Sequence, residues 1–266
     1  MHKPALYEQN HRNDKIVREL LEKYKFNWRA DGTDSLIDIG CASGDVTIRC
    51  LLPFLPPNFG RLIGIDISDK MISYAQEKYS RPNVDFKQCD IGVDIGDRLP
   101  HVDHITSFLC LHWVKNQKAA IQNIYNLLND GGDCLLWLAS HNQFYRAYEE
   151  MAVQEKWSKY MDGVDSFITP YQNVKNPELA FKRLLEECEF STVQVEAVTY
   201  ELKYDDLNQF KALLRSVDPF YERIPVDQHE CYFDKLVLAA CGSTGSTDLS
   251  SSFNVFMHTI VAYAKK

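Results

Sequence analysis

This sequence has no run of about 18 apolar residues, so no segment is long enough to cross a bilayer as a helix. Its first residues, with His2, Lys3 and Pro4 before a polar stretch, lack the apolar core of a secretory signal. Basic charge is also short, with 29 Lys and Arg against 37 Asp and Glu and a formal charge of −8. No basic patch is available to displace counterions from a duplex, which argues against a nucleic-acid partner. The eight cysteines contain no C-x-x-C spacing and sit mostly in apolar runs, as buried reduced thiols do. His101 and His104 have a ligand-like gap, but no Cys or carboxylate constellation surrounds them, so they read as ordinary surface or turn histidines. These absences predict a soluble, cytoplasmic protein with no metal site, no nucleic-acid partner and no membrane span.

What is present suffices for a large core: 45% of the 266 residues are hydrophobic. One domain with insertions over 1–266 is expected: a cofactor-binding half over 1–140, a largely helical cap over 141–250, and a final strand over 251–266. Leu36–Ile39, Arg61–Ile67, Asn83–Cys89, His104–Cys110 and Cys134–Ala139 read as strands. Asp45–Leu52, Asp69–Tyr79 and Gln117–Leu128 read as the helices between them. Such alternation predicts an α/β fold with a parallel sheet covered on both faces. Ser68 should cap the second of these helices, and Asp130-Gly131-Gly132 should turn the chain into the fifth strand.

The later half reads differently. Helices are expected over Phe144–Met161, Pro177–Cys188, Leu207–Val217 and Val226–Ala240, with strands at Thr192–Tyr204 and Phe253–Tyr263. The Gly, Ser and Thr of Gly242–Ser252 compose a flexible loop. Two late strands added to the five predict a seven-stranded sheet with one antiparallel strand.

The most informative stretch is Leu36-Ile37-Asp38-Ile39-Gly40-Cys41-Ala42-Ser43-Gly44, where an apolar strand breaks off at small residues before a helix. Glycine lets a ligand approach the backbone, and a following helix offers unpaired N–H groups. About 20 positions later a second strand ends in Asp66, where nucleotide-binding folds place the carboxylate that takes the ribose hydroxyls. Asp90 ends the third strand. Asp38 with Gly40, Asp66 and Asp90 therefore share the crevice at the strands' carboxyl ends. The loop lacks G-x-G-x-x-G and carries Asp45 where a pyrophosphate would be repelled, so a sulfonium cofactor without phosphate suits an acidic mouth better.

Here the chain resembles the class I S-adenosylmethionine-dependent methyltransferases, with Ala42 in place of the usual middle glycine of their first motif. The resemblance implies that Asp38, Gly40, Cys41 and Ala42 border the methionine part. Asp66 would bind the ribose, Ile67 would lie on the adenine, and Asp90 with Ile91 would meet the adenine edge. Tyr7, Ser107 and Phe108 complete the set expected around S-adenosyl-L-methionine.

A narrower likeness rests on Leu6-Tyr7-Glu8, Ser107-Phe108-Leu109-Cys110-Leu111-His112-Trp113-Val114, the helix Asn123–Leu128, and Gly132-Asp133-Cys134-Leu135-Leu136. Lys156-Trp157, Phe167-Ile168-Thr169-Pro170 and Tyr204-Asp205-Asp206-Leu207 extend it. These stretches resemble the juvenile hormone acid O-methyltransferase family from about Leu6 to the C-terminus. That resemblance implies a Rossmann-like sheet and a helical cap over an apolar tunnel. It also implies methyl transfer from S-adenosylmethionine to the carboxylate of an apolar sesquiterpenoid acid, of the juvenile hormone acid or farnesoic acid kind.

A carboxylate is already ionised at neutral pH, so positioning and desolvation carry such a reaction. The family holds the acid with neutral donors. Trp113 would give its indole N–H, and His112 beside it would donate, or serve as base toward a hydroxyl. The family's second donor is a glutamine about seven residues after the N-terminal tyrosine, a place that here falls on Asp14, next to Asn13. Either Asn13 supplies the amide, or Asp14 is protonated, or the acceptor is another acid or a hydroxyl; a silent cofactor- or terpenoid-binding protein is the further alternative.

Overall fold

The computed structural model describes residues 3–204, 206–241 and 253–266. Two N-terminal helices, α1 (Pro4–Asn10) and α2 (Asp14–Lys23), precede β1 (Ser35–Ile39). There follow β2 (Arg61–Asp66), α3 (Asp69–Tyr79), β3 (Val84–Gln88), β4 (Val102–Phe108), α4 (Gln117–Leu127) and β5 (Leu128–His141). The second half contains α5 (Gln143–Ala152), α6 (Glu155–Ser158), α7 (Pro177–Glu187), β6 (Thr192–Tyr204), α8 (Leu207–Val217), α9 (His229–Cys241) and β7 (Phe253–Lys265). The strands form one seven-stranded sheet in the order β3-β2-β1-β4-β5-β7-β6. Only β7 runs antiparallel to its neighbours β5 and β6 among these strands.

The burial of β1 explains its central place. Leu36, Ile37 and Ile39 are all buried, because helices cover both faces of the sheet. Ile37, Ile39, Ile63, Ile65 and Ile105 pack toward α4 and α7. Leu36, Leu62, Phe86 and Trp137 pack toward α2 and α3 on the other face. The chain winds from β1 outward to β3, then returns to β4 on the far side of β1. That reversal opens a crevice beyond the carboxyl ends of β1 and β4, where open α/β sheets bind ligands.

A third core belongs to the cap. Phe144, Tyr145, Tyr148, Trp157, Phe210, Phe220 and Tyr232 are buried together over the crevice, joining α5, α8 and α9. Its polar anchor is Asp218, which accepts the hydroxyls of Tyr148 (3.1 Å) and Tyr232 (2.9 Å) and the Phe220 N–H (2.7 Å).

Several expectations from the sequence need correction. The helix expected over Asp45–Leu52 contains a wide turn at Thr47–Leu51, closed by a bond from the Leu52 N–H to the Thr47 carbonyl. Asp130-Gly131-Gly132 lies within β5, as a bulge between the paired residues Leu128 and Asp133, with Gly131 at φ +79°. The helix expected over Phe144–Met161 is broken into α5 and α6. His104 is no surface residue: it is buried in β4, its Nδ1 2.5 Å from Asp133 and its Nε2 3.0 Å from Asp34. Its partners are far away in sequence, so local pattern could not reveal them. Gly242–Ser252, read as a flexible loop, falls outside the described residues.

Candidate active site

The loop after β1 holds its shape through glycine and main-chain bonds. Gly40 has φ +75°, and a Cβ there would stand 2.2 Å from the Cys110 Cβ, so only glycine fits. The N–H groups of Gly40 and Cys41 both donate to the Ile65 carbonyl, at 2.7 and 3.0 Å. Ala42 also takes a left-handed conformation, φ +47°. Its N–H donates to Asp66 Oδ2 at 3.1 Å, and the Ser68 N–H donates to Oδ1 at 2.8 Å. Burial pushes the Asp66 carboxyl above its usual range, and these two N–H donors oppose that rise.

A cavity of about 470 Å³ opens at these strand ends, bordered by Gly40, Asp66, Ile67, Asp90 and Ile91. Ile67 is 64% exposed and forms part of its wall. Asp90 accepts the Gly92 N–H at 2.8 Å, which folds the chain back along the same wall. A smaller recess continues inward past Asp38, Gly40, Cys41, Ala42, Phe108 and Tyr7. Asp38 is buried there, its oxygens taking the hydroxyls of Thr47 (2.5 Å) and Thr106 (2.8 Å). Burial raises its pKa to about 6 against the pull of those hydroxyls.

Ser107 is the expected cofactor residue that the structure places elsewhere. It is fully buried, and its hydroxyl donates to the Ile39 carbonyl at 3.0 Å, so it ties β4 to β1 and lines none of these cavities. Asp45 likewise gives no acidic mouth. It is buried against His11 Nε2 (2.5 Å), Arg49 (2.5 Å) and the Ser43 hydroxyl (2.6 Å). Burial pushes its pKa up, but these partners outweigh it and bring the carboxyl down to about 2.

Tyr7 on α1 borders both recesses and a further cavity of about 170 Å³ beneath the cap. That third space is walled by Trp113, His112 and Asn13 at one side and by Phe144, Tyr145, Phe210 and Met257 from the cap and β7. Helix α1 is held over the crevice by Glu8, which receives the hydroxyls of Tyr74 (2.8 Å) and Tyr79 (2.7 Å) and the Lys78 ammonium (2.8 Å).

Arg12 and His11 border this cavity, and beside them stand the neutral donors Trp113, Asn13 and His112. Trp113 stands edge-on to Tyr145, with ring centroids 6.1 Å apart, and its indole N–H has no hydrogen-bond partner among the described residues. The Asn13 side chain begins α2 without capping it and borders both the inner recess and the cap cavity. Asp14, by contrast, borders neither. Its carboxylate turns to Arg49 instead, Oδ2 to Nη1 3.3 Å. His112 is buried and its Nδ1 accepts the Ala139 N–H at 3.3 Å, which leaves the proton on Nε2. Burial pushes its pKa down to about 3, so the ring is an uncharged donor at neutral pH and unsuited to act as base through Nδ1.

Sequence reasoning missed Leu109, Cys110 and Ser68 on the large cavity and His11, Arg12 and Asn142 on the cap cavity. Leu109 and Cys110 directly follow a strand end, a position that marks the crevice in this fold class. The cap residues converge from separate helices and leave no linear signal.

Comparison with known proteins agrees with this architecture. Residues 37–134 match the family model described as a methyltransferase domain. The juvenile hormone acid O-methyltransferase of Drosophila melanogaster is 36% identical, in an alignment covering all of this chain and 93% of that protein. The Bombyx mori enzyme of the same name is also 36% identical, over 91% of this chain and 88% of its own. Among solved structures, Bacillus subtilis YcgJ superposes with a TM-score of 0.60 at 14% identity, covering 95% of this chain and 98% of that one. Phosphoethanolamine N-methyltransferase 2 of Haemonchus contortus, solved with S-adenosyl-L-methionine, gives a TM-score of 0.56 at 16% identity, over 98% of this chain and 56% of that one.

The residues at the crevice suit that cofactor: a glycine that leaves the backbone bare, a carboxylate on the second strand end, and a cavity with carboxylates at Asp66 and Asp90. The chain belongs to the juvenile hormone acid O-methyltransferase family and is an S-adenosylmethionine-dependent O-methyltransferase.

Proposed function

We propose that this enzyme esterifies the carboxylate of a long apolar acid, a sesquiterpenoid of the juvenile hormone acid or farnesoic acid kind. One observation carries the reading. Two neutral donors with open hydrogen-bonding capacity border the cavity walled by aromatic side chains: Asn13 where it meets the inner recess and Trp113 where it meets the large cavity. An anion held by neutral donors stays more nucleophilic than one that is protonated or paired with a cation. The aromatic walls supply the apolar surface that a terpenoid chain requires.

In this reading Asn13, rather than Asp14, replaces the family's amide. Asp66 binds the ribose; Ile67, Asp90 and Ile91 border the adenine; Asp38, Gly40, Cys41, Ala42 and Phe108 enclose the methionine end; and Tyr7 closes over it. The cofactor, when bound, supplies an electrophilic methyl on a sulfonium. The chain itself orients the acceptor oxygen through Asn13, Trp113 and the Nε2–H of His112, and the cap keeps water away while the oxygen is desolvated. No proton has to leave the acceptor, so no base is assigned.

No helix among the described residues is long and apolar enough to cross a membrane. The described cysteines are free thiols, in keeping with a cytoplasmic setting. The test is incubation with methyl-labelled S-adenosylmethionine and a panel of terpenoid acids, fatty acids and terpenoid alcohols. Labelled ester from the terpenoid acids is the expected product. Label in the alcohols alone would move the acceptor to a hydroxyl, and binding of S-adenosylhomocysteine without any product would mark a silent protein.

A further inference from the structure

We propose that Arg12 selects the ionised acid over the neutral ester at the mouth of the cap cavity, so that the enzyme discriminates its substrate from its own product. The inference rests on the acceptor being an apolar acid and assigns a specificity role to a residue outside the expected site.

Arg12 is exposed to solvent and also borders the cap cavity, which places it at the rim. Two contacts hold its guanidinium there. One N–H donates to Gln209 Oε1 on α8 at 2.8 Å, and the group lies 5.6 Å from the centre of the Tyr204 ring. Both partners are uncharged, and among the described residues no carboxylate lies within ion-pair distance of Arg12. Its charge is therefore uncompensated and its remaining donors are open. His11, also on this cavity's wall, is already engaged with Asp45. Deeper in the cavity Asn13, Trp113 and His112 are neutral.

Substrate and product of an esterification share the whole apolar chain and differ by one negative charge. Apolar walls bind both equally, and the neutral donors favour the anion only where it touches them, at the reacting end. A fixed guanidinium at the rim distinguishes them by charge alone, because it attracts the carboxylate and not the ester without pairing with the reacting oxygen. The rim is the useful place for it. An ion pair at the reacting oxygen would lower its nucleophilicity, whereas a cation at the mouth draws the anion in against the repulsion of a chain with formal charge −8. Once the charge is lost on methylation, that attraction disappears and the ester is released more readily.

The test measures binding of farnesoic acid and of methyl farnesoate to the complex with S-adenosylhomocysteine, by calorimetry, for wild type, Arg12→Gln and Arg12→Lys. Removing the charge is expected to weaken acid binding by about two- to fivefold, the scale of an exposed charge–charge interaction, with ester binding unchanged within about 1.5-fold. Lysine should restore most of the preference for acid, and raising the salt should bring wild type toward the glutamine variant. Equal weakening of acid and ester in Arg12→Gln would show that Arg12 merely braces Gln209 and Tyr204, and would overturn the proposal. So would a wild type that forms ester but whose preference for acid over methyl ester does not respond to salt. A wild type that binds neither ligand and esterifies neither would instead overturn the substrate reading, and this inference with it.

Discussion

Asp14 and Arg49 form an ion pair, Oδ2 to Nη1 3.3 Å, that turns the Asp14 carboxylate away from the cavity faced by its neighbour Asn13. A carboxylate at the family's amide position would repel an anionic acceptor; paired with Arg49, Asp14 borders neither the inner recess nor the cap cavity. Asn13→Ala is therefore expected to raise KM for the acid by about tenfold, the cost of a hydrogen bond to a charged group. Asp14→Asn should change KM by less than about threefold, as loss of a partly exposed ion pair does. Steady-state kinetics on both variants decides the assignment; the reverse ranking would restore Asp14 as the acceptor residue.

His112 yields a pH signature. Deep burial holds the ring neutral, with its pKa brought from near 6.5 down to about 3, and the Ala139 N–H on Nδ1 fixes the tautomer. Between those values the unfolded chain binds the extra proton, so this group's contribution to stability is complete above about pH 6.5 and declines as pH falls. Subtracting the stability of His112→Phe from that of wild type isolates the effect from the opposing buried carboxyls. That difference should fall by about 1.4 kcal/mol per pH unit from pH 6.5 toward pH 4, measured by urea unfolding. A difference independent of pH would mean that the folded ring titrates normally.

Gly40 and Ala42 both have positive φ, yet their substitutions should behave oppositely. Gly40→Ala drives a Cβ to 2.2 Å from the Cys110 Cβ. It should cost about 2 kcal/mol or more in stability and abolish binding of S-adenosylhomocysteine, with no rescue from Cys110→Ala, which keeps the clashing Cβ. Ala42→Gly relieves a left-handed alanine worth about 1 kcal/mol, partly offset by the freer unfolded chain. It should leave stability equal or slightly higher. Thermal melts and calorimetry check both.

Much of the sheet was legible in the sequence because parallel strands buried on both faces are apolar runs punctuated by small residues. Thr192–Tyr204, Asp69–Tyr79 and Leu207–Val217 coincide with β6, α3 and α8. Asp66 at the end of β2 and Asp90 two residues past β3 were legible for the same reason, since topology places them at one edge. What local pattern could not show was partnership at long range. His104 looks like a turn residue until Asp34 and Asp133 surround it, and Asp45 looks like an acidic mouth until His11 and Arg49 bury it. Ser107 shares its segment with the real wall residues Phe108 and Cys110, but strand alternation turns its hydroxyl to Ile39. The choice between Asn13 and Asp14 depends on which of two adjacent side chains meets Arg49, and that is a property of the folded N-terminus.

Substitutions at Asp66 and Trp113 should separate cofactor binding from acceptor binding. Asp66→Asn keeps the shape but removes the charge that would accept the ribose hydroxyls, so the affinity for S-adenosylhomocysteine should fall by about 30-fold or more. Trp113→Phe should bind it normally and raise KM for the acid. Normal binding by Asp66→Asn would remove the ribose assignment.

The central claim is that this site makes a methyl ester from an apolar acid. The most direct measurement is transfer of labelled methyl from S-adenosylmethionine to farnesoic acid, compared between wild type and Asn13→Ala at equal occupancy by cofactor. The account predicts labelled methyl farnesoate from wild type and a rate lower by about tenfold at subsaturating acid in the variant. No ester from farnesoic acid or any other terpenoid acid, with cofactor demonstrably bound, would contradict it.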